Sequence, residues 1–447
     1  MRLATLRPVY MAVTGLLLVC ARSTAQEQPV TGEGTRPNFW RAAGGVVAVN
    51  GVTWFYKWHL QRWDWADVGT RSWWANLRDG FTWDDDAFGV NQIAHPYHGS
   101  LYYNAARESG YNFWASAPYV AAGSLSWELF TENVRPSLND LINTTLGGIA
   151  LGEVSHRVSS LLTSPRRATA GREVGAFLVN PISRAQALIF GSDRRRVFPP
   201  PESTSAVLSI GRQRGTGASP TRGAGHQAYV GLSLEYGSPF NEGVSRPYDA
   251  FEFRLQLSPN EHVVLTHASV SGLLTRHHLV RTPWSQILLG VFQHYDYDDL
   301  LVTKGSSQSL SGALLYRQTA GGSTHVDMGL HLELVPLAAV AADYDAVRRR
   351  DYDFGPGLGG RVTGALRHQG RALIRLEGRM VWIRSLYASV ADHVMTTARV
   401  SARVPVMRMI GVGGDFTLTS RRSSYREHPH VRREVPQFRA YLTWSPS

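Results

Sequence analysis

Thr324 to Leu334 reads THVDMGLHLEL, in which Val326, Met328, Leu330, Leu332 and Leu334 alternate with His325, Asp327, Gly329, His331 and Glu333. Side chains on a β-strand point to opposite faces in turn, so this period of two gives one apolar and one polar face. The same period recurs in FEFRLQL (Phe251 to Leu257), TARVSARVPV (Thr397 to Val406) and QFRAYLTW (Gln437 to Trp444). About twelve such segments start near Ser205, Gln227, Phe251, Val263, Gln286, Gln308, Thr324, Gly359, Ala372, Met395, Asp415 and Gln437. Their spacing suits strands of ~10 residues joined by alternating short turns and longer loops.

A soluble sandwich shows the same alternation with its apolar face turned inward. Here the polar face carries both signs of charge, as a lumen does: Glu252, Arg254, His325, Asp327, His331, Glu333, Arg375, Glu377, Arg379, Arg399 and Arg403. The reading is therefore a closed antiparallel transmembrane β-barrel, with Val326 to Leu334 towards lipid and His325 to Glu333 towards the lumen. SYREHPHVRREVP (Ser424 to Pro436) and AADYDAVRRRDYDF (Ala341 to Phe354) are expected as long loops on one side.

The start of the 447-residue chain fits an export signal over residues 1–25. Arg2 and Arg7 precede an apolar stretch, Val9 to Ala21, shorter than the ~20 residues of a spanning helix, and Ser23 and Ala25 precede the cut. The single cysteine, Cys20, lies inside this signal, so the mature chain has neither disulfides nor thiolate chemistry to draw on. The formal net charge is +11, but the basic residues are scattered and only Lys57 and Lys304 are lysines. That pattern argues for lipid-headgroup contact, which the arginine fork suits, or for codon composition, and against nucleic acid. The location expected is the bacterial outer membrane.

Residues 26–80 form a polar leader (Gln26 to Pro37) and a tryptophan-rich segment; 81–195 form a helical domain, and 196–447 the barrel. Ten of the thirteen tryptophans fall between Trp40 and Trp127, where indoles serve either a membrane interface or an aromatic core. Helices are expected over Asp86 to Glu108, Asn112 to Glu132, Ser137 to Leu162 and Arg184 to Ile189. Small residues such as Ala105, Gly123, Gly148 and Gly152 allow close helix approach. RRRVFPPPES (Arg194 to Ser203) is the linker. The fold class is thus α+β: an N-terminal helical unit followed by an antiparallel transmembrane β-barrel of about 12 strands.

The helical region places polar residues among apolar ones in HPYHGSLYYNAARESG (His95 to Gly110), GSLSWELFTE (Gly123 to Glu132), PSLNDLINTTLGG (Pro136 to Gly148) and LGEVSHR (Leu151 to Arg157). With NPISRAQALIFG (Asn180 to Gly191), these strings resemble a bacterial family known as domain of unknown function 3943, over about residues 83–191. The resemblance implies an exported cell-envelope protein and brings no catalytic residue with it.

The chemistry is read from the residues. Asn91, His95, Arg107, Glu128, Asp140, Glu153 and Arg157 form the expected polar core or ligand-binding set. Glu153 and Arg157 are spaced for an i,i+4 ion pair, and Asp140 for a first-turn acid. The Glu-x-x-His spacing of Glu153 and His156 is that of carboxylate-bridged metal bundles, but it occurs once where such a site needs two copies. No metal or cofactor is expected. His95 or His98 as general base, with Glu128 or Asp140 as orienter, would serve an enzyme acting on lipid or lipopolysaccharide. Ser100, Ser124 and Ser126 lack a Gly-x-Ser-x-Gly elbow. GPGLGG (Gly355 to Gly360) precedes a strand, so it cradles no dinucleotide. Asp296, Asp298 and Asp299 suggest a solvated hairpin tip or a calcium site. The function expected first is a structural, binding or restricted-passage role in the envelope, with the helices plugging or capping the barrel. Lipid or lipopolysaccharide and the barrel-assembly machinery are the expected partners.

Overall fold

The structure, a computed structural model, describes residues 36–163, 169–191, 201, 203–215, 226–258, 264–299, 303–344, 350–387 and 390–445. The expected signal peptide, nearly all of the polar leader and most of the linker lie outside the described residues. The chain divides into two compact units, Met1–Pro200 and Pro201–Ser447.

The first unit is helical. Helix α1 (Phe39–Phe55) starts at Asn38, whose side chain accepts the amide of Arg41, and α2 covers Thr70–Asp79. A π-helical turn, Val90–Ala94, leads into α3 (His95–Glu108). Asn112 caps α4 (Phe113–Phe130) and Ser137 caps α5 (Leu138–Leu162), each accepting an orphan amide of the first turn. Thr169 and Asn180 cap α6 (Ala170–Val179) and α7 (Pro181–Phe190) in the same way, and Pro181 sits where its missing amide costs nothing. The four expected helices correspond to the π turn with α3, to α4, to α5 and to α7.

Helices α1, α2 and α6 were not expected. The first is apolar nearly all round, so it shows no stripe at a period of 3.6, and Gly44, Gly45 and Gly51 interrupt it. Helices α3 and α5 meet at Gly99 and Gly148: a Cβ on Gly99 would overlap the Thr144 carbonyl oxygen, and one on Gly148 would lie 2.6 Å from the Gly99 backbone. The tryptophans divide between both expected settings. Trp83 and Trp127 are buried, whereas Trp40 and Trp74 are largely exposed. No described helix is long and apolar enough to cross a membrane.

The second unit is a closed barrel of twelve antiparallel strands in sequence order, with β1 pairing to both β2 and β12. The strands are β1 (Thr204–Gly215), β2 (His226–Tyr236), β3 (Phe251–Leu257), β4 (Leu265–Arg281), β5 (Ser285–Asp298), β6 (Gly305–Gly321), β7 (Thr324–Ala341), β8 (Tyr352–His368), β9 (Arg371–Arg384), β10 (Ala391–Pro405), β11 (Ile410–Tyr425) and β12 (Val431–Trp444). Closure pairs every edge, so the barrel presents no open ladder.

Along β7 the alternation has the expected sense. Met328, Leu330, Leu332 and Leu334 are exposed outside, while His331 and Glu333 are buried inside. Several strands are longer than ~10 residues; β7 has 18. The expected loop Ser424 to Pro436 shrinks accordingly, because the β11–β12 ladder runs on through Arg422↔Arg432 and Ser423↔Val431. The loop expected over Ala341 to Phe354 likewise shortens, as β7 ends at Ala341 and β8 begins at Tyr352. The β11–β12 ladder end is polar on both faces, with Arg421, Arg422, Arg432 and Arg433, and the end of β7 is apolar on both, from Val335 to Ala341, so alternation marks neither. The two connections do share one end of the barrel, opposite the chain-terminal end with its tight turns at 282–284, 322–323 and 369–370.

Candidate functional sites

The first group of polar residues gathers at the start of α5. Ser137 caps the helix, and its backbone amide donates to Glu128 Oε2 at 2.7 Å. Asn139 donates to Asp140 at 2.8 Å and to Asp84 at 3.0 Å, while the Asp84 amide donates back to Asn139. Asn91 also donates to Asp84. The His95 Nε2 lies 3.9 Å from Asp140 Oδ2, and its Nδ1 is 3.4 Å from the Thr144 hydroxyl. His95, Glu128 and Asp140 therefore meet round one helix terminus. His98 packs instead between Tyr102 and Trp127, with ring centroids 4.7 and 4.9 Å away.

Burial governs the protonation of this group. Burial and the neighbouring Asp84 and Glu128 raise Asp140 well above the usual carboxylate range. Burial and Glu132 do the same for Glu128, against the opposing Ser137 amide. Burial also raises Glu132 to about 7, with Trp127 hydrogen-bonding to it and opposing the rise. His95 is lowered by burial, partly offset by Asp84, and burial takes His98 down to about 3, helped by His95. Burial thus favours the neutral forms of Glu128, Asp140, His95 and His98. None of the three candidate serines hydrogen-bonds to a histidine among the described residues. The Ser100 hydroxyl donates to the Tyr97 carbonyl and that of Ser126 to Gly123.

The second group is an ion network between α3 and α5. Glu153 accepts from Arg157 at 2.8 Å, from Arg107 at 3.0 Å and from the Tyr103 hydroxyl at 2.8 Å. Burial alone would raise the Glu153 carboxyl; Arg107 and Arg157 outweigh it and hold the group at about 2. His156 turns away to Glu108, at 2.9 Å, and Asn180 of the α7 cap reaches Glu108 and Asn104. The Glu-x-x-His pair thus serves two different partners. Sequence reading missed Asp84, Glu108, Tyr103 and Asn139, which lie outside any periodic signal or look like ordinary cap and core residues.

The third group lines the barrel. Arg254 pairs with Glu252 and Glu377, and Arg375 with Glu235 and Glu252. Arg367 joins Glu235 to Asp327, and Arg317 lies 2.6 Å from Asp327. Arg361 and Arg379 both engage Asp296 and Glu333, at 2.7 to 3.2 Å. Asp296 therefore belongs to this lattice and to neither a hairpin tip nor a loop, and Asp298 pairs with His267. Towards the chain-terminal end lies a cavity of about 680 Å³ lined by Glu235, Phe240, Arg317, Arg367 and Arg371 among others. Phe240 and Val244, from the connection between β2 and β3, pack on Leu288, Phe292 and Leu315 of the inner wall. Towards the other end the interior turns apolar, with Val335, Ala338, Val340, Val381 and Ile383 in one cluster.

The fold and its interior define a closed twelve-stranded barrel with an ion-paired lumen, joined in sequence to a helical unit with a buried polar core. Residues 80–182 match the model of the family described as "Domain of unknown function (DUF3943)", which covers the π turn, α3 to α6 and the start of α7. No curated protein matches the chain. Similar solved structures include the KdgM porin (4% identity, 54% of this chain and 99% of that one, TM-score 0.25). Another is the outer membrane channel DcaP of Acinetobacter baumannii (8%, 55% and 96%, TM-score 0.24). A third is the trimer form of OmpT, an outer membrane protein of Vibrio cholerae (8%, 55% and 99%, TM-score 0.24). Likenesses this distant carry no argument about function, and the barrel rests on its own strand pairing.

Proposed function

We propose that the protein is an outer-membrane β-barrel whose own side chains narrow its lumen, and that it serves a binding or restricted-passage role in the cell envelope. The observation that carries this reading is the inverted distribution of polarity. Leu332, Leu358, Met380, Val404, Val412 and Leu442 stand exposed on the outside of the consecutive strands β7 to β12, and the interior is ionised and paired. A continuous apolar belt of that extent is unfavourable in water, at about 25 cal/mol per Å², and favourable against lipid. Apart from the connection over 237–250, the chain-terminal end has short turns and the opposite end longer connections, as on the periplasmic and outer sides of such barrels.

The rest of the reading follows from this location. Export by the N-terminal signal, insertion by the barrel-assembly machinery and contact with lipid or lipopolysaccharide are its requirements. The helical unit acts in it as the plug or cap that restricts the opening. The rival reading, an enzyme acting on lipid or lipopolysaccharide, would use His95 as base with Asp140, 3.9 Å away, as its orienter.

Two measurements test the proposal. Fractionation of producing cells should place the full chain with the outer membrane, and recovery in the soluble fraction would refute it. In planar bilayers the wild type should conduct weakly. The double substitution Arg254→Ala and Arg375→Ala, which empties the middle of the lattice, should raise the conductance severalfold. Deletion of Trp83 to Gly191 should raise it also if the helices restrict the opening. Silence from all three forms removes the passage role.

A further inference from the structure

One wall of the lumen carries more positive charge than it neutralises. Arg399 and Arg403 of β10 and Arg439 of β12 project inward beside Asp415 of β11. Asp415 engages Arg399 at 2.8 Å and Arg439 at 3.2 Å. Arg403 has no hydrogen-bond or ion-pair partner among the described residues, although its Nε is buried. The Nε of Arg399 and the hydroxyl of Tyr441 are buried without a hydrogen-bond partner as well. Three guanidinium groups thus share one ion-paired carboxylate, while Glu377 and Asp298 line the adjoining chamber with Arg399 and Arg439. Elsewhere the lumen balances: Arg361 and Arg379 meet two carboxylates, Asp296 and Glu333. In the adjoining chamber Arg254 pairs with Glu252 and Glu377, Arg361 and Arg379 pair with Asp296, and the His267 ring lies 2.8 Å from Asp298.

The wall also has space. A cavity of about 40 Å³ lies against Arg403 and Tyr441. It adjoins a chamber of about 160 Å³, sharing Arg254, Gln256, His267, Arg399 and Arg439 with it. Gly413 stands between Arg403 and Tyr441 in the ladder, and the Tyr441 ring lies over it, so a side chain there would collide with the ring.

We propose that Arg399, Arg403 and Arg439 form a binding site for a phosphate-type oxyanion inside the lumen. A guanidinium enclosed without a counter-ion is costly, and an oxyanion would supply both the missing charge and acceptors for the orphaned N–H groups. The planar fork of arginine matches the spacing of two oxygens on phosphorus. The size of the space selects a single phosphate group, free or carried on a headgroup. The site depends on the barrel alone and stands whether or not the lumen conducts.

The test titrates the purified full chain, in non-ionic detergent with a chloride background, by isothermal calorimetry. Saturable binding of inorganic phosphate marks a free anion. Binding only of micelles doped with phosphatidylglycerol marks a headgroup. Arg403→Gln and Arg399→Gln should each weaken the affinity about ten- to a hundredfold, the range for a lost hydrogen bond to a charged group. Arg403→Lys, which keeps the charge and loses the fork, should fall between, and it carries the comparison if the glutamine variant does not fold. Arg432→Gln, on an exposed pair with Glu434, should leave the affinity unchanged. The proposal is overturned if neither probe binds saturably over chloride, or if binding is the same in the Arg403 and Arg399 variants as in the wild type.

Discussion

Replacing Glu153 by glutamine should destabilise the helical unit far more than the loss of one surface ion pair. The carboxylate is fully buried and neutralises two guanidiniums, Arg107 and Arg157, that are themselves buried. Glutamine keeps the size but leaves both cations without a counter-charge. Breaking a buried pair in this way costs about 3–5 kcal/mol, against about 0–1 kcal/mol for an exposed pair. With a urea dependence of roughly 2 kcal/mol per molar, the unfolding midpoint should drop by about 2 M. Tryptophan fluorescence is the natural assay, because ten of the thirteen tryptophans lie between Trp40 and Trp127. The pH dependence gives an independent check. Glu153 is held at about 2, below its ordinary value of 4.5, so its contribution is fully present above 4.5 and fades as pH falls towards 2. Wild type and variant should therefore converge in acid. A variant midpoint within about 0.3 M of the wild type at pH 7 would mean that the ion network does not hold α3 to α5, and the reasoning would fall.

Other perturbations separate the two units. Gly99→Val should force α3 and α5 apart at the Thr144 carbonyl and cost the helical unit stability, read as a lower urea midpoint with barrel mobility on unheated gels unchanged. Leu332→Arg puts a charge on the outer face of β7 and should destabilise insertion into vesicles by about 2–4 kcal/mol at mid-depth, as measured by folding titrations; no effect would argue against a lipid-facing belt. Glu132, raised to about 7 from an ordinary 4.5, binds its proton more tightly when folded. The helical unit should therefore lose stability as pH rises from 4.5 through 7, and Glu132→Gln, which can still accept from the Trp127 indole, should flatten that slope in the fluorescence assay.

The barrel was far more legible than the helices, for a physical reason. Alternation at Thr324 to Leu334 reports two different solvents, so each inward residue announces itself by parity. His325, Asp327, His331 and Glu333 were placed in this way. Where glycine replaces the alternating apolar residues the signal fades, and Arg361, in GPGLGGRV, was missed although it anchors Asp296 and Glu333. The helical unit has no such contrast. Its interior mixes Glu128, Asp140 and Glu153 with alanine and glycine, and only spacing pointed to Glu153 with Arg157. That Glu128 is held by the Ser137 amide, or that His156 turns to Glu108, depends on how helices cross, which no single helix encodes.

One arrangement recurs in both units. The chain has 46 basic residues and 35 acidic ones, so carboxylates are the scarce partner. Buried or half-buried carboxylates accordingly bridge two arginines: Glu153 with Arg107 and Arg157, Glu333 with Arg361 and Arg379, Glu235 with Arg367 and Arg375, Asp415 with Arg399 and Arg439. A bridge has an asymmetry that an isolated pair lacks. Removing one arginine leaves a carboxylate with its second partner, whereas removing Glu153 or Asp415 takes the shared carboxylate from two cations at once. Substitution of Glu153 or Asp415 should thus be more damaging than substitution of either arginine it bridges. The comparison of Asp415→Asn with Arg439→Gln, measured as urea midpoints of the folded barrel, puts that to the test: the aspartate variant must be the less stable of the two, and the reverse order would show that the lumen relieves its surplus charge by some route other than these bridges.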